Sequence, residues 1–192
     1  MAVQRQGAYV LMLAFDLVPD SLRESFSQQL EDLIHANGDR LDTGFLPTPF
    51  LLDALCSCGR RNLAYTLLYQ KKSPSWLAQV KAGATTIWES WEMYLPDGTP
   101  KKESFNHYTY GTVDNWIFRN ISGLDHKGAG FRHLLIRPQP DSSLQWADRS
   151  FETENGTVRV RWSKKAGIFT LTAEVPCNTD AEIILPDGTC HT

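Results

Sequence analysis

Long apolar runs are missing from this sequence. Nothing in it approaches the ~18 consecutive apolar residues of a membrane-spanning helix, so no membrane partner is expected. A basic excess is missing as well: 19 Lys and Arg stand against 22 Asp and Glu, a formal net charge of −3. That balance cannot neutralise a phosphate backbone, which argues against a nucleic-acid partner. A neutral ligand needs no charge bias and suits the chain better. Cysteine is scarce, four in 192 residues. Cys56 and Cys58 are two apart and would not face each other on a helix, and Cys177 and Cys190 have no His or Cys neighbours at zinc spacing. No metal site is expected, and a reducing compartment is the default. Also absent are a Gly-rich phosphate loop, a Gly-x-Ser-x-Gly elbow and a His-Glu-x-x-His pair.

What is present is an ordinary globular composition, 42% hydrophobic and 21% charged, too apolar for disorder. Six Trp, six Tyr and nine Phe make it aromatic-rich. Aromatics fill cores and also form platforms for the C–H faces of sugars, so the count alone decides nothing. The apolar stretch 8–15 has the length of a signal core, but Asp16 and Asp20 follow it without a small-residue cleavage site. A helix over 4–17 is the better reading, apolar on most sides and therefore buried from several directions. Ser21 and Glu24 form a capping-box signature for a second helix, in which Leu22, Phe26, Leu30, Leu33 and Ile34 recur at helical spacing until Asn37-Gly38 stops it. Thr48-Pro49 starts a third that closes at Gly59. Further helices are expected over 62–69, from Pro74-Ser75-Trp76 to Gly83, and over 107–121, the last with Val113, Trp116, Ile117 and Ile121 inward.

The pattern changes near 123–130. Short alternating runs follow over 133–137, 144–153, 157–163, 168–175 and 181–185. Val158, Val160 and Trp162 alternate with Arg159 and Arg161, and Asn155-Gly156 ahead of them is a hairpin signal. Helices followed by strands predict two domains, 1–128 helical and 129–192 a small antiparallel β-sheet or sandwich. The all-round apolar first helix has few partners in such a set.

Candidate chemistry concentrates on the irregular connections, where binding residues of helical scaffolds gather. The densest is Gly83-Ala84-Thr85-Thr86-Ile87-Trp88-Glu89-Ser90-Trp91-Glu92. Indole faces can desolvate a carboxylate and suit it to proton transfer, and can bound a sugar pocket; a structural loop with a salt-bridged Glu89 is the competing explanation. Ser104-Phe105-Asn106-His107-Tyr108 is the second, against ordinary helix capping by Asn106. In the third, Arg40 to Phe45, Arg40 and Asp42 can simply pair. Asp53 and Asp114 fall within helices, where a solvated face is the cheaper account.

Taken in order, Thr43-Gly44-Phe45, Leu51-Leu52, Leu63-Ala64-Tyr65, Pro74-Ser75-Trp76, residues 83–89 and residues 104–111 resemble the bacterial α-L-rhamnosidases of glycoside hydrolase family 78. So does the tail, with Ile136-Arg137-Pro138, Val175-Pro176, Asn178-Thr179 and Leu185-Pro186. The resemblance covers nearly the whole chain. It implies part of an (α/α)₆ six-hairpin glycosidase barrel followed by a C-terminal β-domain, hydrolysing terminal α-L-rhamnose with inversion and without a cofactor. It implies Glu89, after Thr-Thr-x-Trp, as general base, and His107 of Asn-His-Tyr as a substrate contact; Trp88, whose indole can bound a sugar pocket, is expected to bind substrate beside them. Ser90 stands where many members have Arg, and Pro47 where many have Gly. The family's general acid lies in barrel helices that precede the equivalent of Met1. The chain alone is accordingly expected to be inactive, with the upstream part of the enzyme and a rhamnose-containing glycoside as partners. Any targeting signal would also lie upstream, leaving a cytoplasmic place as the default. A non-catalytic carbohydrate-binding or remnant domain is the alternative, and a complementing subunit a third.

Overall fold

The computed structural model describes residues 5–192. By contacts the chain divides into two compact units, Met1–Val113 and Asp114–Thr192.

The first unit is helical. Helix α1 (Gln6–Ala14) and α2 (Asp20–Ala36) are followed by α3 (Thr48–Ser57), α4 (Arg61–Tyr69) and α5 (Trp76–Lys81). The expected first turn of α1 at residue 4 lies outside the described residues. Only Gln6, Val10 and Leu13 of α1 are buried, and Phe15 and Leu17 just beyond it are exposed. Helix α1 packs on α2 and α3, α3 on α4, and α4 on α5. Gly7 permits the approach to the start of α3: a Cβ there would stand 2.9 Å from Pro47 Cγ. The buried Gln6 amide is satisfied in both directions, donating to Arg40 O at 3.0 Å and accepting from Asp42 N at 2.9 Å.

Two local expectations need correction. Ser21 does not cap α2. The helix begins one residue earlier, behind Pro19, with no side-chain cap, and Glu24 instead reaches the Arg60 guanidinium at 2.7 Å. Arg40 and Asp42 do not pair. Arg40 donates to the carbonyls of Asn37 and Ser73, while Asp42 meets Arg5 at 3.2 Å.

The helix expected over 107–121 is three short pieces, a 3₁₀ turn at Thr109–Thr112, an α-turn at Val113–Trp116 and a π-helical turn at Ile117–Ser122.

The second unit holds β1 (Leu124–His126), β2 (His133–Ile136), β3 (Trp146–Thr153), β4 (Gly156–Lys165), β5 (Ile168–Glu174), β6 (Asp180–Ile184) and β7 (Cys190–His191). They form a four-stranded sheet ordered β1-β2-β6-β7 and a three-stranded sheet ordered β3-β4-β5. The second is antiparallel as expected. The first is mixed, because β2 and β6 run parallel. Between Thr153 and Gly156 the β3–β4 hairpin turns through Glu154 and Asn155. The β4–β5 turn is Ala166-Gly167, both at positive φ (49° and 79°), the pair of conformations that matches strand twist. Leu124, Leu134, Ile136, Val158 and Val160 form the core, with Phe118, Phe131 and Phe151 packed against it. The Trp162 indole, 1% exposed, donates to Ile121 O at 2.7 Å.

Candidate active site

The Glu89 segment and the His107 segment are brought together by a long irregular hairpin. Pro96-Asp97-Gly98 turns the chain, with Thr99 N–H bonded to Asp97 Oδ1 at 2.9 Å and Gly98 at φ 83°. Hydrogen bonding to Thr99 holds the Asp97 carboxyl below its usual range. From that turn the two arms run back antiparallel. Lys101 N bonds Met93 O at 2.8 Å, Glu89 N bonds Ser104 O at 3.0 Å, and His107 N bonds Ile87 O at 2.8 Å. The Thr86 hydroxyl adds a bond to Phe105 O at 2.5 Å.

Irregular backbone needs partners for its polar groups, and here buried side chains of α5 supply them. Trp76 Nε1 donates to Tyr110 O at 2.9 Å, and Gln79 Nε2 to Ser90 O at 3.0 Å. Ser75, fully buried, caps α5 through Ala78 N at 3.1 Å, which fixes the helix that holds both carbonyls. The 43–48 turn is held similarly. Trp91 Nε1 donates to Thr43 O at 2.8 Å, and the Thr43 and Thr48 hydroxyls meet at 2.8 Å.

Aromatic rings join these segments. Trp76 meets Trp91 edge-on, Trp91 stacks on Tyr110 at 3.9 Å between centroids, and Phe45 meets Tyr110 edge-on. Phe45 in turn stacks on His107 at 4.7 Å, and His107 on Tyr108 at 5.1 Å.

The sequence-predicted residues occupy three different situations. Glu89 is half-buried and lines an open cavity of about 310 Å³ together with Gly44, Phe45, Ser90, Glu103 and Tyr110. Its Oε2 accepts the Ser104 N–H at 2.6 Å, and among the described residues it forms no ion pair. His107 is half-buried. Its Nδ1 accepts from Thr109 N at 3.3 Å, so in the neutral ring the proton sits on Nε2. Trp88 is 5% exposed, and its indole packs edge-on against Tyr94 and Phe105. It is not among the residues lining that cavity; its contacts are with the interior of the hairpin. Asn106 is exposed and caps no helix; Ser104 Oγ bridges its N and O.

Two residues at the cavity were not singled out from sequence for this role. Glu103 lines it, and burial together with the Glu103 charge pushes the Tyr110 phenol above its usual value. A phenol held that way stays protonated and can donate a hydrogen bond. The Pro-Asp-Gly turn was the available signal: folding 87–95 back on 99–107 sets Ser104 opposite Glu89. Among the described residues no group of three or more His, Cys, Asp or Glu could hold a metal ion. No helix there is long and apolar enough to cross a membrane.

Comparisons with known proteins bear on the same segments. Family models for the bacterial α-L-rhamnosidase 6 hairpin glycosidase domain and the bacterial α-L-rhamnosidase C-terminal domain match residues 1–121 and 123–192. An α-L-rhamnosidase of Streptomyces avermitilis is 45% identical over 184 residues, 94% of this chain and 18% of that protein. One from Alteromonas sp. is 39% identical over 186 residues, 95% of this chain and 20% of its own length. The chain thus spans about a fifth of the curated relatives it matches. Among solved structures, the Streptomyces avermitilis α-L-rhamnosidase complexed with L-rhamnose superposes with a TM-score of 0.89 at 43% identity, over 94% of this chain and 18% of that one. The native α-L-rhamnosidase of Aspergillus terreus gives 0.93 at 36% identity, over 100% and 23%. With both of its parts matched in order, the chain belongs to the bacterial α-L-rhamnosidase family of glycoside hydrolases.

Proposed function

We propose that this chain carries the general base and one wall of the sugar pocket of an inverting α-L-rhamnoside hydrolase, and that the general acid comes from outside these 192 residues. The observation that carries the reading is the Glu89 carboxylate at an open cavity, with one oxygen fixed by the Ser104 N–H. That bond leaves the other oxygen to hold a water. The water attacks the anomeric carbon on the face opposite the leaving oxygen, and Glu89 takes its proton. A second carboxyl, ~6.5–9.5 Å away in inverting enzymes, protonates the leaving group. His107 Nε2 and the Tyr110 hydroxyl are donors for sugar hydroxyls, and Trp88 acts through the hairpin it anchors. The catalytic part is the helical unit, Met1–Val113, and the β-sheet unit that follows carries none of the reacting groups.

The test has two stages. The chain alone, assayed on p-nitrophenyl α-L-rhamnoside, should show no turnover at enzymic rates, since general acid catalysis contributes ~10²–10⁴-fold. Hydrolysis that Glu103→Gln abolishes would assign the acid to Glu103 and overturn the proposal. Joined to the preceding barrel region of a relative, the chain should support hydrolysis that gives the β-anomer first. Glu89→Gln should then remove turnover while sugar binding persists. Unchanged kcat in that variant defeats the assignment and favours a sugar-binding module.

A further inference from the structure

The solvent face of the three-stranded sheet has no part in the proposed hydrolysis, yet it is built like a ligand platform. Along β4, Val158, Val160 and Trp162 are buried, so Arg159, Arg161 and Ser163 stand on the opposite face. Register then places Trp146, Ser163 and Thr170 in one row across the sheet, with Asp148, Arg161 and Thr172 in the next. The Trp146 indole is 69% exposed. Isolated exposed apolar residues are common. This one ends a row of hydroxyls and borders a cavity of about 510 Å³, within the usual range for small-ligand sites.

Charge narrows the ligand class. Arg161, Lys164 and Lys165 line the cavity against a single carboxylate, Asp148, in a chain whose formal charge is −3. Asp148 is already neutralised. Arg159 grips it through Nε and a terminal amino group at 2.9 and 2.8 Å, and Arg161 Nε meets it at 3.0 Å. The same contacts fix the Arg161 side chain while leaving its terminal N–H groups for a ligand, a fork suited to a planar carboxylate.

We propose that this face binds an acidic saccharide, a pyranose ring lying on the Trp146 indole and its carboxylate meeting Arg161. Ser163, Thr170 and Thr172 offer hydroxyls that both donate and accept along the ring edge. The site is independent of the cavity at Glu89.

Calorimetric titration of the full chain with trigalacturonate, and with the neutral trisaccharide xylotriose, tests this. Trigalacturonate should bind at least about tenfold more tightly, with an affinity that falls as salt is raised. Arg161→Gln should weaken it by about tenfold or more, the loss expected for one charge-assisted contact, and Trp146→Ala, which removes the apolar platform under the ring, should weaken it by about tenfold as well. Arg161→Lys should recover part of that loss. Amide-exchange protection of β3, β4 and β5 checks that each variant is folded, and His107→Ala, which removes a proposed sugar donor from the other cavity, should leave the titration unchanged. No heat at ~10 mM trigalacturonate, far weaker than a specific site, overturns the proposal. So does equal affinity for xylotriose, or binding unaffected by Trp146→Ala. Binding lost in His107→Ala instead would put the saccharide in the cavity at Glu89 and refute this site.

Discussion

Replacing Gly123 by Ala should destabilise the β-sheet unit itself. Gly123 ends the π-helical turn at φ 84°, in the left-handed region where a Cβ costs about 1–2 kcal/mol. A second penalty adds to it. A Cβ at this position would stand 2.3 Å from Pro138 N and 2.6 Å from both its Cα and Cδ. Those are main-chain and ring atoms, unable to swing aside as a flexible side chain could. The neighbouring bond from Arg137 N to Gly123 O at 2.7 Å pins the two segments together. Overpacking of this sort costs about 1–3 kcal/mol more, for a total of roughly 2–5 kcal/mol by the same principles. Small domains have only about 5–15 kcal/mol in all, so the loss is a large share. Gly188 supplies the control, with φ 89° and no atom within 4 Å of its Cβ position; Gly188→Ala should cost only the conformational part. Urea-dependent amide exchange of the β3, β4 and β5 strands reports this unit by itself. With a slope of about 1–3 kcal/mol per molar urea, the Gly123→Ala midpoint should fall by about 1 M or more. A shift no larger than that of Gly188→Ala would refute the clash.

Leu134→Ala should cost about 3–5 kcal/mol, because Leu134 is 1% exposed at the centre of a cluster with Leu124, Ile136, Val158 and Val160 that cannot collapse around the gap; thermal unfolding of the β-domain measures it. Gln79→Leu strands the Ser90 carbonyl, whose partner is Gln79 Nε2. A loss of about 1–3 kcal/mol is expected, visible as faster amide exchange in residues 87–91 than in α3. His35 makes stability depend on pH. Its hydrogen bond to Asp39, with the charges of Asp39 and Glu31, raises its pKa above 6.5 against the opposing effect of burial. The contribution is therefore complete below the unfolded value and is lost as pH rises through the higher folded one. Asp39→Asn, tolerated at φ 55° because Asn accepts left-handed geometry, should flatten the urea midpoint between about pH 6 and 8. A midpoint that rises over that interval in the parent chain contradicts the sign.

Much of the helical unit was readable from period alone, and the failures have identifiable physical causes. Helices α2 and α3 announced themselves through apolar residues three and four apart and through Gly38 and Gly59 placed to end them. The capping box at Ser21 failed because Pro19 already sets the entry and Arg60, 36 residues on, competes for Glu24. The helix expected from His107 failed for a similar reason. Trp76 claims the Tyr110 carbonyl, and Gly111 lies against Ile87, where a Cβ would come within 3.3 Å of its Cγ1. The segment is therefore shaped by its neighbours before a regular helix can extend through it. Strands β1 and β7, three and two residues long, are too short to show alternation. The parallel pairing of β2 with β6 joins strands distant in sequence, and no local pattern encodes it.

The residues around Glu89 show why its environment was only half legible. Trp88 and Trp91 flank the carboxylate in sequence, which made them look like the walls of its pocket. On an extended arm adjacent residues project to opposite sides, which turns Trp88 away from Glu89, and both indoles are claimed elsewhere. Trp88 goes to Tyr94 and Phe105, and Trp91 to Tyr110 and the Thr43 carbonyl. The cavity walls come instead from Phe45 and Tyr110, residues of other segments. A site carried on loops must still be held to a fraction of an ångström to do proton chemistry. Here the stiffness comes from helix α5, one of whose side chains grips the Tyr110 carbonyl while another grips that of Ser90. Trp91 adds to this from behind the cavity by holding the Thr43 carbonyl and stacking on Tyr110. Removing Trp76 or Trp91 should therefore disturb Glu89 through the backbone rather than through direct contact with a sugar.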